Sequence, residues 1–353
     1  MPHLFSPFTL RSVTLRNRIG VSPMCQYSAT DGVPNEWHSV HLGSRAVGGA
    51  GLIIAEATGV EPQGRITLGC TGLWNEAQTE AWQRIVAFGR AQGAVMGVQL
   101  GHAGRKASTL KPWEDNASVS PEQGGYESIG PSALAFSPSL ATPRAMTLAD
   151  IQRVKNAFCQ AATHAIAAGF QVIELHAAHG YLLHSFLSPL SNQRADAYGG
   201  SFDNRTRLLR EIVQQVRRVI PDATPLLVRL SCSDWVEGGW TLDESIALAR
   251  LLQAEGVDLI DCSSGGAAPN VKIPVGPGYQ VPFAAAIRRE VGIATAAVGL
   301  ITEPIQANDL ISSGAADLAF LARELLRDPY WPHHAAKALG QPVLAPVQYG
   351  RVF

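Results

Sequence analysis

Several features that would fix a function class are missing from this chain. There is no charge excess of either sign: 28 Lys and Arg stand against 29 Asp and Glu, for a net charge of −1. Without a basic surplus there is no electrostatic case for a nucleic-acid partner. The five cysteines (Cys25, Cys70, Cys159, Cys232, Cys262) are scattered and never spaced C-x-x-C. That argues against a disulfide scaffold, a zinc ribbon or an iron–sulfur cluster, and fits a reducing cytoplasm. The most apolar stretch, Ala46 to Val60, contains four glycines and Glu56, so it falls short of the roughly 18 apolar residues of a membrane-spanning helix. The opening Met-Pro-His-Leu-Phe-Ser-Pro lacks the charged start and apolar run of a secretory signal. The expectation is a soluble cytoplasmic protein. Only 16% of residues are charged and 46% are hydrophobic, so the chain is too apolar for disorder.

What is present is a repeated unit. Short β-branched apolar runs end in polar residues or glycine, and a helical pattern follows each. Eight runs qualify: Ile19–Met24, Leu52–Ala57, Val95–Leu100, Val172–His176, Leu226–Leu230, Leu259–Cys262, Ala294–Val298 and Leu318–Leu321. The intervening helices carry N-terminal signals, among them Thr147-Leu-Ala-Asp150, the capping box Thr241-Leu-Asp-Glu244, and Ser201 ahead of the amphipathic stretch 202–219. Eight strands alternating with helices predict a single α/β domain, a (β/α)8 TIM barrel. The competing doubly wound sheet lacks its G-x-G-x-x-G fingerprint. Two parts stand outside the repeat. Residues 4–18 alternate as a hairpin capping the barrel bottom, and the Pro/Ser/Gly-rich segment 102–146 reads as a structureless insertion, a possible lid.

Barrel chemistry sits at the C-terminal strand ends. The residues there are Ser22-Pro23-Met24-Cys25-Gln26-Tyr27, Glu56-Ala57, Gln99, His176, His179, Tyr181, Arg229, Gly299 and Ala322-Arg323. His176 and His179, three apart at one strand end, fit a metal site, acid/base work or a hydrogen-bond clamp on a substrate oxygen. Glu174 lies on the same face one layer deeper, which leaves a metal-dependent hydrolase or lyase as the alternative. Arg229, in an otherwise apolar strand, requires an anionic partner, either a carboxylate or a bound cofactor. Gly299 and Ala322-Arg323 fall where barrels commonly hold a phosphate.

With these residues in place, the chain resembles the old yellow enzymes, FMN-dependent ene-reductases. The resemblance runs end to end, through Pro-Met-Cys-Gln-Tyr (23–27), Gln-Leu-Gly-His-Ala-Gly-Arg (99–105), Glu-Leu-His-Ala-Ala-His-Gly-Tyr-Leu (174–182), the stretch Ser191–Arg205, and Arg-Glu-Leu-Leu-Arg-Asp-Pro (323–329). Cys25 resembles the bacterial branch that contains xenobiotic reductase A. The resemblance implies that Ser22, Pro23, Met24 and Cys25 border the flavin, with Cys25 tuning its potential. Ala57 and Gln99 contact the ring, Arg229 faces its N1–C2 carbonyl edge, and Gly299, Ala322 and Arg323 hold the phosphate. It further implies that His176 and His179 grip the oxygen of an activated alkene, that hydride comes from flavin N5 in ping-pong turnover with NADPH or NADH, and that Tyr181 supplies the proton. Tyr27 and Lys106 join the substrate pocket. Arg351, near a tail ending in Phe353 where the branch often has tryptophan, reaches the neighbouring active site of a homodimer or homotetramer.

Overall fold

A computed structural model describes residues 2–352. In chain order the strands are β1 (Phe8–Leu10), β2 (Val13–Leu15), β3 (Ile19–Val21), β4 (Leu52–Gly59), β5 (Val95–Gly101), β6 (Ile129–Gly130), β7 (Arg144–Ala145), β8 (Val172–Ala177), β9 (Leu226–Ser231), β10 (Leu259–Ser263), β11 (Ala294–Ala297) and β12 (Leu318–Leu321). The α-helices are α1 (Glu36–Val47), α2 (Glu76–Ala91), α3 (Leu148–Ala167), α4 (Leu182–Leu187), α5 (Phe202–Val219), α6 (Leu242–Ala254), α7 (Val281–Val291), α8 (Pro304–Ser312), α9 (Arg323–Arg327) and α10 (Trp331–Ala338). Strands β3, β4, β5, β8, β9, β10, β11 and β12 close in that order into a parallel barrel. All eight expected strands are there, and the fold is a (β/α)8 barrel.

Helix starts follow local chemistry. Thr147 and Thr241 each close a capping box, with Asp150 and Glu244, and Ser201 caps α5 through the Asn204 amide. Strand β3 stops at Val21 rather than Met24. Pro23 has no N–H to give to a ladder, so the chain leaves the sheet there.

The two faces of the strands do different work. Outward side chains such as Ile53, Val98, Ile173, Val228 and Ile260 form one apolar layer with the helices. Inward side chains at the strand starts, including Leu52, Val172, Leu227, Leu259 and Leu318, form a second. The hairpin β1–β2 packs beneath them through Leu15, Phe8, Leu10 and Val13, plugging the barrel bottom. Higher up, the inward positions turn polar. A bulge in β4 between Ala55 and Ala57 puts one extra residue there. Ala57 is thereby brought level with Gln99 on the inner face, while Glu56 lies 3.2 Å from His38 of α1.

The insertion 102–146 is not structureless. It carries the parallel pair β6–β7 and 3-10 turns at Gly104–Lys106 and Pro121–Gln123. Arg194 ties it down by donating to the carbonyls of Pro131 and Met146. Its backbone polar groups needed such partners to lie against the barrel top, and composition alone did not reveal them.

Candidate active site

The turn after β8 sets the geometry. His179 has φ +60° and Gly180 φ +74°. A Cβ on Gly180 would lie 2.0 Å from the Gly266 carbonyl, so only glycine lets the turn meet that loop. The His179 amide donates to Ser231 Oγ at 2.9 Å, and Ser231 donates to Gly265 O. The Gly180 amide donates to His184 Nδ1, and His184 Nε2 lies 3.0 Å from Asp234. This frame sets the rings of His176 and His179 5.1 Å apart and nearly perpendicular, with the Tyr181 ring 5.0 Å from His176.

The protonation of His176 follows from its contacts. Its Nδ1 accepts from the Ala178 amide, so the neutral ring carries its proton on Nε2. Burial, then the Arg229 charge, pushes both imidazoles well below their usual range, which keeps them neutral. His179 Nε2 lies 2.7 Å from Ser263 Oγ. Burial raises the Tyr181 phenol far above its ordinary value, so it holds its proton.

Below this trio lies a polar floor. Gln99 Nε2 donates to Glu174 Oε1 at 2.8 Å, and Arg229 Nε stands 3.1 Å from Asp261 Oδ2. The registers place His176, Arg229 and Asp261 side by side on three adjacent strands. Arg229 therefore has a carboxylate partner of its own, Asp261, and does not depend on a cofactor alone for compensation. Burial raises both the Glu174 and Asp261 carboxyls, Asp261 adds to the effect on Glu174, and Arg229 opposes it in both. Among the described residues, Glu174 Oε2, Arg229 Nε and both Asp261 oxygens lack a well-formed hydrogen bond. Buried polar atoms left in that state mark a place where a bound group completes the network.

Cys25 and Tyr27 pack with Tyr181 on a small cluster of Ile66, Cys70, Ala103 and Ala107. Burial first, then Cys70 and Glu56, holds the Cys25 thiol well above its usual range, so it is not a thiolate nucleophile. Ser22 is buried at the end of β3, and Pro23 and Met24 are half-buried beside it. Across the barrel mouth, Arg229, Gly299, Ala322 and Arg323 line one cavity of about 180 Å³. Gly299 has φ +131°, and an added Cβ would sit 3.0 Å from the Tyr279 ring. The Gly299 and Leu300 amides have no acceptor among the described residues. The free amides and Arg323 suit a phosphate-bearing group, and Gln99 and Arg229 of the under-satisfied floor suit a polar ring edge; the donor set fits FMN. Tyr27, Lys106 and Tyr181 line a separate open cleft of about 760 Å³ beneath the 102–146 insertion.

His176, His179 and Glu174 do not assemble as metal ligands: among the described residues no three His, Cys, Asp or Glu side chains are grouped to hold an ion. Arg351 is exposed on the tail, and Phe353 lies outside the described residues. Sequence reasoning missed Asp261, Ser231, Ser263 and the His38–Glu56 pair. Asp261 carried the same signal as Arg229, a charge inside an apolar strand. The serines carried none, because their role comes from what the fold sets beside them.

A (β/α)8 barrel with a cavity lined by Gly299, Ala322 and Arg323 at its last two strands, and a neutral histidine pair over a polar floor, fits a flavin-binding oxidoreductase. The chain belongs to the NADH:flavin oxidoreductase / NADH oxidase family, that of the old yellow enzymes, which its residues 3–341 match. The NADPH dehydrogenase of Geobacillus sp. (strain WCH70) is 50% identical over 350 residues, 99% of this chain and 98% of that one. Morphinone reductase in complex with tetrahydroNAD superposes with a TM-score of 0.80 at 27% identity, covering 98% of this chain and 93% of the other. A 2-naphthoyl-CoA reductase superposes with a TM-score of 0.87 at 26% identity over 96% of this chain, which spans 52% of that longer protein. The protein is an FMN-dependent oxidoreductase that takes reducing equivalents from NAD(P)H. No described helix is long and apolar enough to cross a membrane.

Proposed function

We propose that this enzyme reduces the C=C bond of activated alkenes, α,β-unsaturated carbonyl and nitro compounds, in ping-pong turnover. The observation that carries the reading is the convergence of His176, His179 and Tyr181 at the head of β8, with both imidazoles neutral. Ser22, Pro23, Met24, Ala57, Gln99, Arg229, Gly299, Ala322 and Arg323 would hold FMN, which when bound would supply the hydride chemistry that links NADPH or NADH to the alkene β-carbon. The chain's own groups do the rest. His176 donates from Nε2 to the carbonyl or nitro oxygen, and His179 shares that oxygen. Donors placed where negative charge develops lower the barrier because they need no reorganisation. Tyr181 delivers a proton to the α-carbon, and its raised phenol keeps that proton available at neutral pH. Arg229, beside His176 on the inner face of β9, would set its positive charge toward a bound flavin and favour the reduced, anionic form. Cys25, as a neutral thiol, tunes that ring's potential without covalent chemistry. Tyr27 and Lys106 contact the rest of the substrate from the cleft.

The enzyme works in the cytoplasm as a homodimer or homotetramer. Arg351, exposed on a tail anchored near Tyr349 and Tyr330, completes the neighbouring subunit's site. The test is an anaerobic absorption experiment. Flavin bands that bleach with NADPH and return on adding cyclohex-2-enone are expected. Bleaching without return would overturn alkene reduction while leaving the flavin chemistry intact.

A further inference from the structure

Lys106 sits in the turn just after β5, with its ammonium in the large cleft. Nζ donates to the His179 carbonyl at 2.7 Å and the Gly266 carbonyl at 2.9 Å. It lies 4.0 Å over the Phe136 ring and 5.5 Å from the Tyr181 ring centre. An ammonium has three donors, and these two carbonyls use two. Among the described residues no carboxylate lies within ion-pair distance of Lys106, or of Arg105 beside it. Among the other buried cations, Lys155 is paired with Glu211, Arg205 with Glu244 and Arg229 with Asp261, whereas Arg45 and Arg105 rest on carbonyl oxygens without lining the cleft. Among the described residues no acidic side chain lines the cleft, and Lys106 is the one basic side chain that does; burial, then the Arg105 charge, lowers its ammonium to about 7, so it is mainly cationic below neutral pH. A buried charge ordinarily has a counter-charge. Here no acceptor among the described residues takes the third N–H, and Lys106 lines the cleft.

We propose that Lys106 forms an anion subsite, selecting unsaturated substrates that carry a carboxylate on the cleft side of the oxygen gripped by His176 and His179. The inference rests on the reading of the site given above. The phosphates of the reductant are a second possible anion. They lie many bonds from its reacting ring, however, whereas Lys106 bonds the backbone of His179 itself. A carboxylate there accepts the third N–H in a charge-assisted hydrogen bond on the open side of the cleft. Such a bond is expected to favour the acid over a neutral analogue roughly 10- to 100-fold.

The test compares 3-(3-oxocyclohex-1-enyl)propanoate with its methyl ester and with cyclohex-2-enone, as kcat/KM at low ionic strength and pH 6.5. The FMN-loaded wild type, Lys106→Met and Lys106→Arg are each assayed. Binding of 3-hydroxybenzoate and its methyl ester, read from the flavin spectrum, supplies a measurement independent of turnover. The wild type should prefer both acids. Lys106→Met should bring the acid-to-ester ratio to about one or below, and Lys106→Arg should retain the preference. Absence of preference in the wild type overturns the proposal. So does a preference that survives in Lys106→Met, or a variant that loses NADPH affinity in the anaerobic reductive half-reaction while keeping that preference. Should Lys106→Met fail to fold, loss of the wild-type preference on raising salt to about 1 M decides, since salt screens an exposed-side charge contact and spares an apolar one. A wild type that reduces none of the three alkenes defeats the ene-reductase reading instead, and the hydroxybenzoate pair then still decides the anion subsite.

Discussion

At the residue scale, the histidine pair and the tyrosine have separable tasks. Replacing both histidines, as His176→Ala with His179→Ala, removes the donors at the substrate oxygen. Phenol binding, read from long-wavelength charge-transfer absorbance, should weaken about 100-fold or more, since each hydrogen bond to a charged oxygen contributes about 1.5–3 kcal/mol. An unchanged band would refute the clamp. Tyr181→Phe keeps the ring packing and deletes the proton. Alkene reduction should slow on the order of 100-fold while flavin reduction by NADPH changes little. Equal slowing of both half-reactions in stopped flow would contradict the proton-donor role. Asp261→Asn acts on the floor. It leaves Arg229 facing a neutral group and should destabilise the fold by about 3–5 kcal/mol, seen as a lower urea midpoint.

At the element scale, strands carry Ala57, Gln99, His176 and Arg229, and the loops that follow them carry the rest of the site. The loop after β11 is one such element. Gly299 adopts φ +131° and packs against Tyr279, with its amide free to face a phosphate. Gly299→Ala adds a Cβ in a conformation costing about 1–3 kcal/mol, so the apoprotein should bind FMN about tenfold more weakly in a fluorescence titration. Unaltered affinity would remove this loop from the phosphate site. The turn after β8 works in the same way. Gly180, His184 and Asp234 contact no substrate, yet they fix where His179 and Tyr181 stand. The bulge in β4 is a third such device, since the extra residue is Glu56 itself: Ala57 stays on the inner face while the Glu56 carboxylate holds the Gln26 amide beside Cys25.

At the scale of the whole molecule, buried neutral histidines set the acid limit. Burial lowers His41, to about 3, and also His176, His179 and His333. A base lowered on folding binds fewer protons in the native than in the unfolded state. Its contribution is therefore complete above the unfolded value of about 6.5 and is lost as pH falls below it. The raised Glu174 and Asp261 carboxyls act in the opposite sense, but two groups oppose four. Unfolding free energy from urea titrations should fall as pH drops from 6.5 toward 5. A flat profile across that range would contradict the burial of neutral histidines.

The sequence by itself determined the barrel, the hairpin plug and the polar strand ends. These rest on local regularities: the length and β-branching of the strand runs, the caps at Thr147, Ser201 and Thr241, and the period-two placement that sets Glu174 below His176. Its motifs also carried the family resemblance. Only the tertiary structure decided which residues meet. Asp261 faces Arg229 because β9 and β10 are neighbours in one register, and Ser231 and Ser263 reach His179 from different strands. The insertion 102–146 is ordered by partners far away in the chain. Lys106 stands without a counter-charge because no acidic residue from any lining segment comes near it. Strand pattern is local and can be read one residue at a time. Pairing, burial and charge compensation depend on closure of the barrel, which brings together residues up to hundreds of positions apart.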